Sequence, residues 1–365
     1  MSRLFLTGFP GFRASALLRV ALTAEPELEV AALVHPRRRA EAEEMLANHV
    51  LGRERVSLIE GDPIAIDFGL RGRDYGELAD SVTHVQHLHQ ALDASVPGDV
   101  AERVNVGAAR EIIEFSRAAR RLEHLVLHSS LFVSGDRSGV VHESELAAGQ
   151  SFRSPVARSL ALAEAMLSRH PELPYTIVRA GQVVGDSRTG VVGRLDGPYP
   201  LLVFLASAPG DAPLPLPPRS EASLHLVPVD YVARAAHTLS LLPDAIGKTV
   251  HLVDSRPPSL RSFLEAAATR FGKRIDAGFH ASSLGRALFG NLGTGLLAQN
   301  LRALAELVAT PVSYDDATAL ELLEARGISC PPFESYADVL FSHVEERLKD
   351  KRLSEPSKEP WDVAG

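Results

Sequence analysis

The sequence has 365 residues, 45% of them hydrophobic and 23% charged, which is enough for one large domain or for a domain with a smaller lobe. Its formal net charge of -8 argues against a nucleic acid partner, because such binding depends on Lys and Arg side chains that neutralise phosphates. The single cysteine, Cys330, excludes an internal disulfide and a cysteine-based zinc site, and it favours a reducing, cytoplasmic setting. The 14 histidines show no metal-ligand spacing and no apolar run is long enough to span a membrane, so we expect neither a metal ion nor a transmembrane helix.

The first half of the chain alternates short apolar runs with segments of helical periodicity. The predicted strands cover residues 3–6, 29–34, 56–60, 82–88, 125–128 and 175–179. The predicted helices cover residues 14–22, 38–47, 100–120 and 155–169. This alternation is typical of a parallel sheet whose strands are joined by crossover helices, so we predict a doubly wound α/β fold of the Rossmann type.

Beyond residue 185 the alternation of strands and helices is lost. Residues 185–218 are rich in glycine, proline and small side chains, whereas 225–230 is again extended and 249–252 is predicted to be a strand. The last hundred residues have mostly helical patterns. Within them, the apolar stretch 284–307 is predicted to pack on the sheet domain or, alternatively, to form a lid or an acyl-chain groove.

These patterns divide the chain into three parts. We predict a first domain over residues 1–185 and a smaller, mainly helical lobe over residues 186–348, interleaved with the core because residues 225–255 return to it. The charged, proline-containing residues 349–365 are predicted to be a flexible tail.

A glycine turn follows the first predicted strand and opens the first predicted helix, which is the context that a phosphate-binding turn requires. Gly8 permits the tight turn, Gly11 lets the backbone approach a pyrophosphate, and the small Ala14 lets the helix pack on the strand. The amides and the dipole of the helix N-terminus attract phosphates. We therefore predict that residues 1–185 bind a dinucleotide, held at the turn by Thr7, Gly8, Phe9, Pro10, Gly11 and Phe12.

The end of the second strand bears on the choice between NAD and NADP. An NAD site usually has Asp or Glu there to bind the ribose hydroxyls, but this chain has three arginines at residues 37–39. Guanidinium groups suit a 2′-phosphate, so we prefer NADP to NAD and assign Arg37 and Arg38 to the site. The alternative is that these arginines form a solvated start of a helix. Asp62, after the third strand, is placed to contact the adenine.

At this point the sequence resembles the extended short-chain dehydrogenase/reductase superfamily, within the branch of fatty acyl-CoA reductases and thioester reductase domains. The resemblance covers roughly residues 3–255. It implies that Ser130, five residues before Gly135, contacts a substrate carbonyl, and that Asn105 is a retained member of the cofactor site. The motifs that carry it are TGFPGF at residues 7–12, GD at 61–62, VNV at 104–106, SSLFVSG at 129–135, VRAGQVVGDSRTG at 178–190, DGPY at 196–199 and LVPVDYV at 226–232.

The sequence departs from that family where a tyrosine and a lysine are expected. The resemblance implies a Tyr-x-x-x-Lys motif before the Ala-Glu pair at residues 163–164, and counting back places Val156 at the tyrosine position and Leu160 at the lysine position. The first lysine of the chain is Lys248, so no shifted motif replaces it. Proton transfer by such groups contributes roughly 10²- to 10⁴-fold, so we expect the usual carbonyl reduction to be slowed at least that much.

The fourth strand ends in bulky polar residues where the family has small ones. His89 and Gln90 are predicted to crowd the pyrophosphate or the nicotinamide ribose, in which case no cofactor binds. Alternatively, His89 is a substitute acid near neutral pH, or a histidine that faces solvent or makes structural hydrogen bonds.

Three further residues lie where a substrate is expected to bind. Arg179, Tyr199 and Asp230 are assigned to the substrate side, and each has a structural alternative: an ion pair, a packing tyrosine and a helix cap. We hypothesise that the protein binds cofactor and a small-molecule or acyl-thioester ligand, has lost standard reductase chemistry, and acts alone, as a homodimer or beside a partner enzyme. The rival hypothesis is an oxidoreductase that uses Ser130 and a non-standard acid.

Overall fold

The computed structural model describes residues 2–207, 214–215, 221–276 and 312–350. Its described strands are β1 Arg3–Thr7, β2 Glu29–Val34, β3 Val56–Glu60, β4 His84–His87, β5 His124–Ser130, β6 Gly139–Val141, β7 Tyr175–Ala180, β8 Gln182–Val184, β9 Leu214–Pro215, β10 Leu226–Pro228, β11 Thr249–Leu252, β12 Ile275–Asp276 and β13 Val312–Tyr314. Its described α-helices are α1 Phe12–Ala24, α2 Arg39–His49, α3 Gly72–Ser81, α4 Gly98–Ala118, α5 Pro155–Leu167, α6 Tyr199–Ser207, α7 Val229–Ser240, α8 Leu260–Arg270, α9 Ala317–Leu323 and α10 Ala337–Lys349.

Seven of the described strands form one parallel sheet in the order β11-β7-β5-β4-β1-β2-β3. The strand order reverses between β1 and β4, where consecutive connections leave the sheet in opposite directions. In open α/β sheets such a switch point opens a crevice at the carboxyl ends of the strands, and ligands bind there. The glycine turn after β1 lies at this crevice.

Both faces of the sheet are covered, and the side chains of β1 alternate between the two cores. Leu4 and Leu6 pack in the cluster that includes α1 and α7, whereas Phe5 packs on the opposite face with Phe115 of α4, their ring centroids 4.7 Å apart. Burial on both faces explains why β1 and β2 are mostly apolar in the sequence.

Two strands from the second half of the chain, β10 and β13, each form a two-stranded parallel ladder with an earlier strand. β10 pairs with β8, and β13 pairs with β6 so that Tyr314 lies opposite Val141. Gly181 lies between β7 and β8, and a Cβ there would overlap the carbonyl oxygen of His225. These ladders bring residues 225 and 312–314 beside the end of β5.

The structure confirms the predicted Rossmann-type parallel sheet. β2, β3 and β11 have the predicted bounds, whereas β4 is shorter than the predicted 82–88 and β5 is longer than the predicted 125–128. Helix α3 was not among the predicted elements. The division at residue 185 stays a prediction, and the apolar stretch 284–307 and tail residues 351–365 lie outside the described residues.

Candidate functional site

The glycine turn after β1 has a backbone that only glycine satisfies at its first position. Gly8 has φ of +89°, and a Cβ there would lie 2.9 Å from the carbonyl carbon of Leu88. The Gly11 amide donates to the Gly8 carbonyl oxygen at 2.8 Å. Thr7 Oγ1 accepts from the amides of Leu88 and His89 at 3.2 and 3.3 Å, so the turn is fixed to the end of β4.

The N-terminus of α1 opens directly from this turn. Gly11 is its N-cap residue and supplies no side-chain cap for the first amides. Arg13, in the first turn of the helix, is only 6% exposed, and burial lowers its pKa to about 10. Its Nη2 lies 3.5 Å from His128 Nδ1, while its Nε has no hydrogen-bond partner among the described residues. A buried cation beside uncapped amides fits the anionic pyrophosphate of a dinucleotide.

The ends of β2, β3 and β4 bring His89 beside Arg38 and Asp62, two residues that the sequence analysis assigned to the adenosine half of the dinucleotide. His89 is half-buried near His35, Arg38 and Asp62; desolvation lowers its pKa to about 4, and the Asp62 charge only partly opposes this. His89 is therefore neutral at physiological pH. Arg38 binds Glu41 at 2.8 Å, and Asp62 Oδ1 accepts from the Ile64 amide at 3.1 Å. His89 is not among the residues that line the cleft at Ser130.

Gln90 and Asn105 are held by backbone groups around the end of β4. The Gln90 amide nitrogen donates to the His128 carbonyl oxygen, and its Oε1 is buried without a partner among the described residues. Asn105 accepts from the Ala91 amide at 2.7 Å and donates to the Ala91 carbonyl oxygen at 3.0 Å. Asn105 also donates to Ser159 Oγ at 2.9 Å, so it connects the segment after β4 to α5.

Val156 and Leu160 lie on the buried face of α5, each 1% exposed. They pack in an apolar cluster that includes Ala91, Ala101 and Val133. Neither side chain has an ionisable proton. This face of α5 is therefore built for packing.

A cleft opens at the end of β5, with about 640 Å³ of empty space including its open mouth. Ser130 lies in its wall, and its Oγ accepts from the Phe132 amide at 3.3 Å. The N-terminal turn of α5 reaches the same cleft through Ser154 and Ala157. The cleft is lined by Ser130, Leu131, Phe132, Ser134, Gly135, Arg153, Ser154, Ala157, Gly181, Gln182, His225, Val312 and Tyr314.

Tyr314 and His225 are among the lining residues that the sequence analysis did not identify as site residues. The Tyr314 hydroxyl lies 2.9 Å from Ser134 Oγ and donates to the Leu131 carbonyl oxygen at 3.3 Å. Its ring meets the edge of the His225 ring with centroids 4.8 Å apart. No local signal marks Tyr314, because it reaches the cleft only through the pairing of β13 with β6.

Arg179 lies behind the cleft and is held by protein groups. Its Nη2 is 2.7 Å from Glu164 Oε2, and both side chains are almost fully buried. Ser129 Oγ donates to the same carboxylate, while Arg179 Nη1 donates to the Glu145 carbonyl oxygen at 2.8 Å and to His251 Nε2 at 3.3 Å. This placement favours the structural alternative for Arg179, an internal ion pair.

Tyr199 and Asp230 fix the loop that follows β8. The buried Tyr199 hydroxyl accepts from the Gly185 amide at 2.8 Å. Asp230, in the first turn of α7, accepts from the Ser187 amide at 2.9 Å and from Ser187 Oγ at 2.8 Å. Neither residue lines the cleft at Ser130.

Neither a cluster of metal-ligating side chains nor a membrane-spanning helix is found in the part of the chain that the structure describes. Within it, no three His, Cys, Asp or Glu side chains are grouped so that they could hold a metal ion. Among its helices, none combines the length and the apolar composition needed to cross a bilayer.

The sequence profile of the family described as "Male sterility protein", an NAD-binding family, matches residues 6–236. The chain belongs to this family of NAD(P)-binding, thioester reductase-like domains of the extended short-chain dehydrogenase/reductase type.

Two curated relatives are much longer proteins. One of the subunits of linear gramicidin synthase from Brevibacillus parabrevis is 26% identical over 207 residues, which are 55% of this chain and 4% of that protein. The L-2-aminoadipate reductase large subunit of Penicillium chrysogenum is 26% identical over 284 residues, which are 69% of this chain and 19% of that protein. The chain therefore spans less than a fifth of either relative.

Solved structures share the fold over nearly the whole chain. The terminal R domain from the myxalamid PKS-NRPS biosynthetic pathway has a TM-score of 0.81 and 24% identity, covering 98% of this chain and 93% of that one. A reductase domain of a nonribosomal peptide synthetase from Mycobacterium tuberculosis has a TM-score of 0.77 and 17% identity, covering 96% of this chain and 92% of that one. UDP-glucuronic acid 4-epimerase from Bacillus cereus, in complex with NAD, has a TM-score of 0.67 and 16% identity, covering 94% of this chain and 99% of that one.

Proposed function

We propose that this protein binds a nicotinamide dinucleotide at the β1–β4 switch point and a small-molecule or acyl-thioester ligand in the cleft at Ser130, without the standard proton-transfer pair. The observation that carries the proposal is the packing of Val156 and Leu160 in an apolar cluster, where the family resemblance expects a tyrosine and a lysine. Two aliphatic side chains neither donate a proton nor hold a ribose hydroxyl.

The cofactor would be held by this chain's turn and strand ends. The pyrophosphate would bind at the amides that follow Gly11, with Arg13 behind them, and the adenosine would lie near Asp62 and His89. The Gln90 side chain is bound inward to His128, which supports an open crevice instead of a blocked one. Arg37 and Arg38 support NADP over NAD, because the end of β2 has no carboxylate for ribose hydroxyls.

When bound, such a cofactor supplies or accepts hydride. The chain's own contribution at the cleft is hydrogen bonding: Ser130 Oγ would donate to a ligand carbonyl oxygen. The second candidate function is an oxidoreductase that combines Ser130 with a non-standard acid. One observation favours it over a purely binding protein, namely that a phenol, Tyr314, lines the same cleft as Ser130.

Fluorescence titration of the purified protein with NADPH and NADH, followed by an acyl-CoA turnover assay, tests the proposal. Binding of NADPH without turnover supports it, whereas turnover that Ser130→Ala abolishes supports the second candidate. Absence of NADPH and NADH binding overturns both. Ser116→Ala is the matched control, because Ser116 is a buried serine of α4 that donates within its own helix, to the Ile112 carbonyl oxygen.

The preference for NADP has its own test. Arg37→Ala with Arg38→Ala is expected to weaken NADPH binding and to leave NADH binding nearly unchanged, because only NADPH carries the 2′-phosphate. Arg73→Ala serves as the control, since Arg73 is an exposed arginine of α3 paired with Glu77. Equal losses for both cofactors would contradict the assignment.

A further inference from the structure

We infer that Tyr314 is a hydrogen-bond donor to the carbonyl oxygen of the ligand in the cleft at Ser130, supplying from β13 the phenol that α5 lacks. The inference rests on the proposed function, because it assumes that a carbonyl ligand occupies this cleft. Ser130 and Tyr314 lie in one cleft wall although 184 positions separate them in the sequence.

The phenol ring is held in a defined orientation. The register of β13 on β6 sets Tyr314 opposite Val141, and the edges of two imidazole rings flank it, His225 at 4.8 Å and His251 at 5.6 Å between centroids. His251 is itself fixed, because its Nδ1 donates to the Asp315 carbonyl oxygen at 2.8 Å. The hydroxyl is therefore presented to the cleft by a rigid frame.

The hydrogen-bond pattern leaves the phenol proton available to a ligand. The Tyr314 hydroxyl donates to the Leu131 carbonyl oxygen across a long 3.3 Å, so it accepts from Ser134 Oγ at 2.9 Å. A ligand carbonyl is expected to replace the long contact and to leave the shorter one in place. Burial raises the pKa of Tyr314, so the phenol keeps its proton at neutral pH.

His225 gives a second, independent indication that this wall receives a polar ligand. Its Nε2 lies 3.4 Å from the Val312 carbonyl oxygen and donates to it, which leaves Nδ1 as an acceptor. That Nδ1 is buried and has no hydrogen-bond partner among the described residues. Buried polar atoms in native proteins are rarely left unsatisfied, so a ligand group that donates a hydrogen bond is expected here.

The test uses the N-acetylcysteamine thioester of butanoic acid, labelled with carbon-13 at its carbonyl, as the probe. Calorimetry measures the affinity of this probe for the 365-residue chain, and difference infrared spectroscopy measures the carbonyl stretch of the bound probe. Tyr314→Phe is expected to weaken binding by about 2- to 10-fold, the usual contribution of one hydrogen bond, and to move the stretch to higher frequency. The control is Tyr75→Phe, which removes a phenol hydroxyl from the cluster around Phe5 and Phe115, and it is expected to match the wild type.

A ligand variant keeps the test decisive if Tyr314→Phe does not fold. The corresponding butyl thioether lacks the carbonyl, so it is expected to bind the wild type more weakly than the thioester does. Equal wild-type affinity for thioether and thioester, or an unchanged carbonyl stretch in folded Tyr314→Phe, overturns the inference alone. If the wild type binds NADPH but no thioester, the ligand part of the proposed function fails and this inference fails with it.

Discussion

Glu164 and Arg179 form a buried ion pair, with 2.7 Å between Oε2 and Nη2, directly behind the strand that carries Ser130. The carboxylate also accepts from Ser129 Oγ, so one pair joins α5, β5 and β7. The pair supports the wall of the cleft, since Ser129 precedes Ser130 in the chain. A buried ion pair is costly to break, because the remaining charge is left desolvated.

We therefore expect Glu164→Gln to lower the free energy of unfolding by about 3–5 kcal/mol, the range observed when one partner of a buried pair is removed. Urea denaturation followed by circular dichroism measures the change. The control is Glu77→Gln, which removes a partner from the exposed pair with Arg73 and is expected to change stability by less than about 1 kcal/mol. A loss below about 1 kcal/mol for Glu164→Gln would show that Arg179 is stabilised by its other contacts.

The double variant Val156→Tyr with Leu160→Lys tests whether only the proton-handling pair was lost. Both positions are buried among apolar groups, so we expect a less stable protein, with overpacking alone costing about 1–3 kcal/mol and the buried lysine adding to it. In a variant that still folds and binds NADPH, we expect weak thioester turnover, measured by NADPH consumption.

Leu162→Lys provides the matched control for that variant. Leu162 lies on the same helix but is 40% exposed, so a lysine there is expected to cost little stability and to produce no turnover. A folded, NADPH-binding double variant without turnover would count against the idea that the rest of the site is intact.

We predict that Arg13 lowers the stability of the cofactor-free protein and raises its affinity for the cofactor. Arg13→Leu removes a buried cation with no carboxylate partner found among the described residues, so we expect the cofactor-free protein to keep its melting temperature or to gain. NADPH affinity is expected to fall about 10- to 150-fold, because a charge-assisted contact contributes roughly 1.5–3 kcal/mol. Adenosine has no phosphate, so its affinity should not change. Equal losses for NADPH and adenosine would indicate a general disturbance of the site.

The fold could be predicted because its signals are local. Strands β1 and β2 are buried along nearly their whole length and are mostly apolar, and the glycine turn is formed by six adjacent residues. Helix α3 was missed because Gly72 and Gly76 weaken its helical signal, and among its residues only Leu78 and Ala79 are buried.

The candidate site could be predicted only where its residues follow strand ends. Ser130 and Asp62 belong to that class. Tyr314 and His225 do not, because they reach the cleft through ladders between segments that are distant in the sequence. Gln90 shows a second limit: the sequence predicts a bulky side chain beside the cofactor, but the direction of that side chain depends on its bond to the carbonyl oxygen of His128 on the neighbouring strand.

Buried histidines make the stability of this protein depend on pH. Burial lowers the pKa of His87 to about 3 and the pKa values of His124 and His251 to about 4. In the unfolded chain these groups titrate near pH 6.5, so between pH 6.5 and 4 the unfolded state binds more protons than the folded state. The contribution of these histidines to the stability is therefore fully present above pH 6.5 and is lost as the pH falls through this window. Asp196, whose pKa burial raises to about 6, opposes the trend.

We expect the urea midpoint at pH 5.5 to lie well below that at pH 7.5, with each such histidine contributing at most about 1.4 kcal/mol per pH unit. His124→Gln should reduce this pH dependence, because Gln does not titrate and its amide can still donate to Thr176 Oγ1, which lies 2.8 Å from His124 Nε2.

The comparison variant replaces the exposed His142 by Gln, and its expected effect on the pH dependence has the opposite sign. Asp315 raises the pKa of His142, so His142 stabilises the protein more at low pH. His142→Gln should therefore steepen the loss at pH 5.5. An unchanged slope in His124→Gln would show that His124 is protonated in the folded protein.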